Sequence, residues 1–105
     1  MELKIKTDQN CLTVYLRGEL DHHAAGRLRE EIDNAVNING TKQLILDFAD
    51  VGFMDSSGIG LILGRYRHLS ATGGTLRVRG ASQRLRQVMC MAGLQKLDIL
   101  EEESV

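Results

Sequence analysis

An apolar strand-like segment that runs straight into an amphipathic helix can bury both only in a layered α/β arrangement, and the middle of this chain carries such a junction. Leu44-Ile45-Leu46-Asp47-Phe48 is a mostly continuous apolar run of the kind buried in a parallel sheet. Downstream, Ile59, Ile62, Leu63, Tyr66 and Leu69 recur at i, i+3, i+4, i+7 and i+10, which predicts one buried helical face. The join is Phe53-Met54-Asp55-Ser56-Ser57-Gly58-Ile59-Gly60, with two hydroxyls and a carboxylate where strand gives way to helix. Ser56 or Ser57 is the expected N-cap, because a serine oxygen accepts a bond from an otherwise orphaned backbone N–H. The same position suits a phosphate, since the free N–H groups and dipole of a helix start favour an anion.

The flanking segments extend this pattern. Leu3, Ile5 and Thr7 alternate with charged residues, as do Leu12, Val14 and Leu16 with Cys11, Thr13, Tyr15 and Arg17. With Asp8-Gln9-Asn10 between them, they predict an antiparallel hairpin whose first strand is an edge. Asp21 is placed to cap a helix over 22–37 with Ala25, Leu28, Ile32, Ala35 and Val36 on its inner face, ended by Asn39-Gly40. Gly73-Gly74 breaks the next helix before a strand at 75–79. Ser82 then caps a short helix with Leu85, Val88, Met89 and Ala92 inside, closed by Gly93. Leu94, Leu97, Ile99 and Leu100 predict a last strand before Glu101-Glu102-Glu103. The expected fold is therefore a single α/β domain over 1–105, ordered β-β-α-β-α-β-α-β, with a mixed, mostly parallel sheet of four to five strands.

Composition narrows the function. At 105 residues with 43% hydrophobic and 26% charged residues, the chain suits one soluble core, and its longest apolar run is far short of a membrane span. Nothing at Met1-Glu2-Leu3-Lys4 reads as a secretion signal, so a cytoplasmic location is expected. Cys11 and Cys90 lack any metal-ligand spacing and read as ordinary thiols. Arg65, Arg67, Arg77, Arg79, Arg84, Arg86 and Lys96 fall in the stretch 56–97, which contains no Asp or Glu and hints at an acidic partner. Direct nucleic-acid binding is not expected: there is no Trp, only two Phe and two Tyr, and the net charge is −1.

In an open α/β sheet, sites form where loops leave the carboxyl ends of strands. The two loops that qualify are 18–23, containing Asp21, His22 and His23, and 51–58. If their parent strands are neighbours, Asp21 and Ser56 share one rim. A serine hydrolase is disfavoured there, because a nucleophile elbow needs Gly two residues to either side, whereas Met54 precedes Ser56 and Asp55 precedes Ser57. Gly58, Gly60 and Gly64 do not complete a dinucleotide fingerprint, since residue 63 is Leu, and no P-loop is present. Adjacent His22 and His23 diverge by about 100° on a helix and cannot easily share a metal. No cofactor or metal is expected. Leu61 falls off the expected buried stripe, among Gly58, Gly60 and Gly64, and reads as an exposed apolar group on a smooth docking patch.

Gly18-Glu19-Leu20-Asp21-His22-His23-Ala24, together with the segment from Phe53 to Tyr66, closely resembles the anti-sigma factor antagonists of the STAS-domain family, particularly the sporulation sigma F branch. The resemblance covers nearly the whole chain. It implies a regulator without catalytic activity, whose unphosphorylated form binds an anti-sigma serine kinase and releases the sigma factor. That kinase, carrying the ATP or ADP, then phosphorylates Ser56, and a serine phosphatase reverses the step. It further implies that Asp21 contacts the kinase, that Asp55 orients the local backbone and that Ser57 supports the cap. The family's further C-terminal helix has no counterpart expected in Glu101-Glu102-Glu103-Ser104-Val105, and the stretch after Gly74 is richer in Arg than the family pattern. A STAS module of a stress-response partner-switching system stays open, as does the less favoured nucleotide-binding or hydrolase reading.

Overall fold

The computed structural model describes residues 1–101, leaving Glu102, Glu103 and the expected acidic end of the chain outside the described residues. Strand β1 (Glu2–Asp8) pairs antiparallel with β2 (Cys11–Leu20) through the tight turn at Gln9-Asn10, where Gln9 has a φ of 56°. Helix α1 (His22–Asn39) then leads to β3 (Gln43–Met54), α2 (Ser56–Ser70), β4 (Thr75–Arg79) and α3 (Gln83–Met91). Spatial order in the four-stranded sheet is β1-β2-β3-β4, with β2, β3 and β4 mutually parallel. The hairpin, the edge position of β1 and the mostly parallel sheet all match expectation.

Alternation along the strands gives the sheet two different faces. Leu12, Val14, Leu16, Leu44, Leu46, Phe48, Leu76 and Val78 are buried beneath the helices, where they meet Leu28, Ile32 and Val36 of α1, Ile62 and Leu69 of α2, and Leu85 and Met89 of α3. Each such side chain contributes about 1.5–3 kcal/mol by leaving water. On the other face Tyr15 is exposed, and Arg79 pairs with Asp47 at 2.8 Å and reaches the Tyr15 hydroxyl at 3.2 Å.

Three expectations need correction. Residues 51–54 are not loop: β3 continues to Met54, with register shifts against β2 between Tyr15 and Arg17 and between Gly18 and Glu19. Each shift puts an extra residue into β3, so its buried positions run Phe48, Val51, Met54 instead of alternating, and the two-residue period is lost. The last apolar segment is not a strand either. Leu94–Leu97 is a turn of 3₁₀ helix, bounded by Gly93 (φ 90°) and Asp98 (φ 56°), and these left-handed positions stop it extending; Leu100 makes a single bridge to Val78. Finally, the buried set on α2 is Gly58, Leu61, Ile62, Arg65 and Leu69, while Ile59, Leu63 and Tyr66 are half-buried. The helix is covered on two sides, by the sheet and by α1, so its apolar stripe is wider and rotated toward α1. No helix among the described residues is long and apolar enough to cross a membrane.

Candidate functional site

Parallel pairing of β2 and β3 brings both candidate loops to one edge. Leu20 and Met54, the last residues of the two strands, are register partners, and the Asp55 N–H donates to the Leu20 carbonyl at 3.3 Å. Asp21 and Asp55 therefore leave the sheet side by side. Their backbones match, with φ/ψ of −101°/−176° and −100°/−170°, and each caps the helix that follows. Asp21 accepts from the Ala24 N–H at 2.9 Å, and Asp55 from the Ser57 N–H at 2.8 Å. The Ala24 bond, helped by the electrostatic influence of the neighbouring His23, holds the Asp21 carboxyl below the usual carboxylate range despite opposing desolvation.

The α2 cap is thus Asp55, correcting the expectation of a serine. Because β3 runs to Met54, only Asp55 is left in extended geometry before the helix, and both serines fall inside its first turn. Ser56 is exposed at the first helical position, and Ser57 is half-buried with its N–H committed to Asp55. The Ser56 hydroxyl is therefore spared from capping and faces solvent at the positive end of a helix dipole.

Other site candidates separate by environment. His22 and His23 are exposed, their rings edge-on with centroids 5.8 Å apart. Among the described residues, no group of three His, Cys, Asp or Glu is arranged to hold a metal ion. Gly58 is a packing residue, since a Cβ there would lie 2.2 Å from Met54 Cγ and 2.5 Å from Met54 Sδ. Gly60 and Gly64 face open space. Leu61 is only 4% exposed, so it is core and not an exposed docking side chain; α1 covers the face that periodicity alone leaves to solvent. The exposed apolar group of the rim is Phe53, at 49%, put outward by the second irregularity of β3. Its sequence signal was weak, a lone aromatic in a broken alternation.

Next to the rim, α1 and α2 flank a groove of about 500 Å³ that includes Ser57, Gly60, Leu61 and Gly64 along with Arg29 and Arg65. Arg29 and Arg65 were missed as site residues, because nothing local in the sequence pairs positions on α1 with positions on α2. A second depression of about 480 Å³, lined by Gln43, Tyr66, Thr75, Arg77, Leu97 and Asp98, lies at the opposite end of the sheet, where β3 and β4 begin. The carboxyl-end rule favours the rim over this depression.

The STAS domain matches this chain over residues 2–103. The chain belongs to the STAS-domain family. This STAS domain is 33% identical over 97 residues to the anti-sigma F factor antagonist of Paenibacillus polymyxa, covering 92% of this chain and 83% of the relative. It is 36% identical over 99 residues to that of Lysinibacillus sphaericus, covering 92% and 85%. Among solved structures, the anti-sigma factor antagonist SpoIIAA in its unphosphorylated form superposes with a TM-score of 0.86 at 32% identity, covering 98% of this STAS domain and 89% of the other chain. The Bacillus SpoIIAA structure in the phosphorylated form gives 0.79 at 32% identity, covering 98% and 92%.

Proposed function

We propose that this STAS domain is an anti-sigma factor antagonist of the sporulation sigma F type, which binds an anti-sigma serine kinase through the rim at Asp21, His22, His23, Asp55 and Ser56 and is switched off by phosphorylation of Ser56. The observation that carries the reading is the exposed Ser56 hydroxyl in the first turn of α2, uncommitted because Asp55 performs the capping. Two relatives named as antagonists of an anti-sigma F factor, each aligned over 92% of the chain, supply the partner class.

In the forward step the Ser56 oxygen attacks the γ-phosphorus of ATP held by the kinase. The new O–P bond forms as the bond to ADP breaks, and the hydroxyl proton passes to a base on the kinase or to water. A serine phosphatase hydrolyses the ester. The product adds about −1.5 to −2 charges and strong acceptor oxygens beside the carboxylates of Asp21 and Asp55. At a helix N-terminus that charge is favourable to the fold by about 0.3–1 kcal/mol. It opposes any partner surface matched to the neutral hydroxyl, so the switch acts at the interface and not through refolding. Both SpoIIAA forms share this fold, which supports a local switch.

The test is intact-mass spectrometry with site mapping after incubation with ATP and the cognate anti-sigma kinase. A single phosphate on Ser56, absent in Ser56→Ala, is the expected result. No phosphate, or one confined to Ser57 or another residue, refutes the assignment.

A further inference from the structure

Gly26 of α1 and Gly60 and Gly64 of α2 line the same interhelical groove, and none of them is required by the packing. A Cβ at each meets nothing within 4 Å, and none has a left-handed φ. Glycine inside a helix weakens it relative to alanine, so three such residues on one groove are a cost without a return inside the fold. Gly58, two residues before Gly60, shows the contrast, because there Met54 occupies the space.

Arg65 supplies an independent observation. It is only 6% exposed and lines the groove, with its Nε 2.8 Å from Asp33 Oδ1 of α1. Its Nε and Nη1 are both buried with no hydrogen-bond partner among the described residues, as is Asp33 Oδ1, so the close ion pair is not aligned as a hydrogen bond. A buried guanidinium with unused donors is costly until an acceptor arrives. Arg29 and His22 also line the groove, so its ionisable groups are all of the cationic type, whereas the adjoining rim presents Asp21 and Asp55. The pattern fits an acidic partner in the groove and a basic or neutral one on the rim, which fixes the orientation of docking.

We propose that the α1–α2 groove seats a segment of the anti-sigma kinase that packs against the bare backbone at Gly26, Gly60 and Gly64 and delivers an Asp or Glu carboxylate to Arg65. This rests on the kinase being the partner. The glycines permit close backbone approach, and the guanidinium pairs with the incoming carboxylate, for which Asp33 of α1 is an internal competitor.

The experiment is calorimetric titration of the full chain and its variants with the purified cognate kinase, alongside urea unfolding of each variant. Gly60→Ala and Gly64→Ala are expected to unfold at higher urea than wild type yet bind at least about tenfold more weakly, the loss of roughly one good contact. Arg65→Gln weakens binding in the same way. Asp33→Asn, which releases the guanidinium from its internal partner, binds as tightly as wild type or more so. Glycine variants that bind with wild-type affinity overturn the seat. Parallel losses in Arg65→Gln and Asp33→Asn overturn the carboxylate contact, since they mark a purely structural ion pair. A folded wild-type chain that fails to bind the kinase overturns the partner reading itself, a result distinct from any variant ratio.

Discussion

Gly58 is where the geometry of the rim depends most directly on one missing methyl group. An alanine there sets its Cβ 2.2 Å from Met54 Cγ, 2.5 Å from Met54 Sδ and 3.1 Å from Leu20 Cδ2. Met54 and Leu20 are 6% and 0% exposed, so neither has solvent to retreat into. Forcing a methyl into a filled core costs about 1–3 kcal/mol, against a helix-propensity gain of up to about 1 kcal/mol. The expected balance for Gly58→Ala is a net loss of about 1–2 kcal/mol, since Met54 is flexible and relieves part of the overlap. For a domain of this size that lowers Tm by roughly 5–15 °C. Gly60→Ala and Gly64→Ala are the controls: with nothing within 4 Å of the added atom, each keeps the propensity gain. Urea unfolding followed by far-UV circular dichroism compares the three midpoints at constant m-value. The double variant Met54→Ala/Gly58→Ala isolates the contact, and it should be less destabilised than the sum of its single variants. If Gly58→Ala is as stable as Gly60→Ala and shows no coupling to Met54, the steric account of this glycine is wrong.

Three further predictions concern the rim and the hairpin. Ser56→Asp places a permanent charge at the exposed start of α2 and should leave the unfolding midpoint near wild type while weakening kinase binding at least about tenfold; unchanged affinity in calorimetry counts against an electrostatic switch. Because the folded state holds the Asp21 carboxyl below its ordinary value, the unfolded chain takes up the proton first as pH falls. The stability from this cap is therefore complete above the ordinary carboxylate range and lost as pH drops through that range to the lowered value, and Asp21→Asn should show a shallower decline in unfolding midpoint over that acidic window. Gln9 holds a φ of 56° in the β1–β2 turn, so Gln9→Gly should raise stability by up to about 1 kcal/mol, read as a higher urea midpoint; a lower midpoint would show that glycine's unfolded-state entropy dominates.

Much of the architecture is legible because its signals are local. The alternation in β2, the Asp21 cap, the left-handed Gly40 that ends α1 and the Ser82 cap of α3 each depend on residues a few positions apart. Local signals mislead where one element answers to two neighbours. β3 lost its period because its pairing with β2 absorbs two extra residues, and Leu61 changed from surface to core because α1 lies against α2. The final apolar segment was misassigned because side-chain hydrophobicity says nothing of the left-handed backbone at Gly93 and Asp98.

By itself, the sequence determines that this is an α/β chain with an Asp-Ser-Ser join between a buried strand and a helix, since strand period, helix period and capping chemistry are written in neighbouring residues. Only the tertiary structure decides what that join presents. The pairing of Leu20 with Met54 sets Asp21 beside Asp55, the length of β3 hands the cap to Asp55 and leaves Ser56 free, and the packing of α1 on α2 buries Leu61 and draws Arg65 to Asp33. The Leu20–Met54 and Asp33–Arg65 pairs lie 34 and 32 positions apart in the chain, so they exist only once the sheet register and the helix packing have been chosen together.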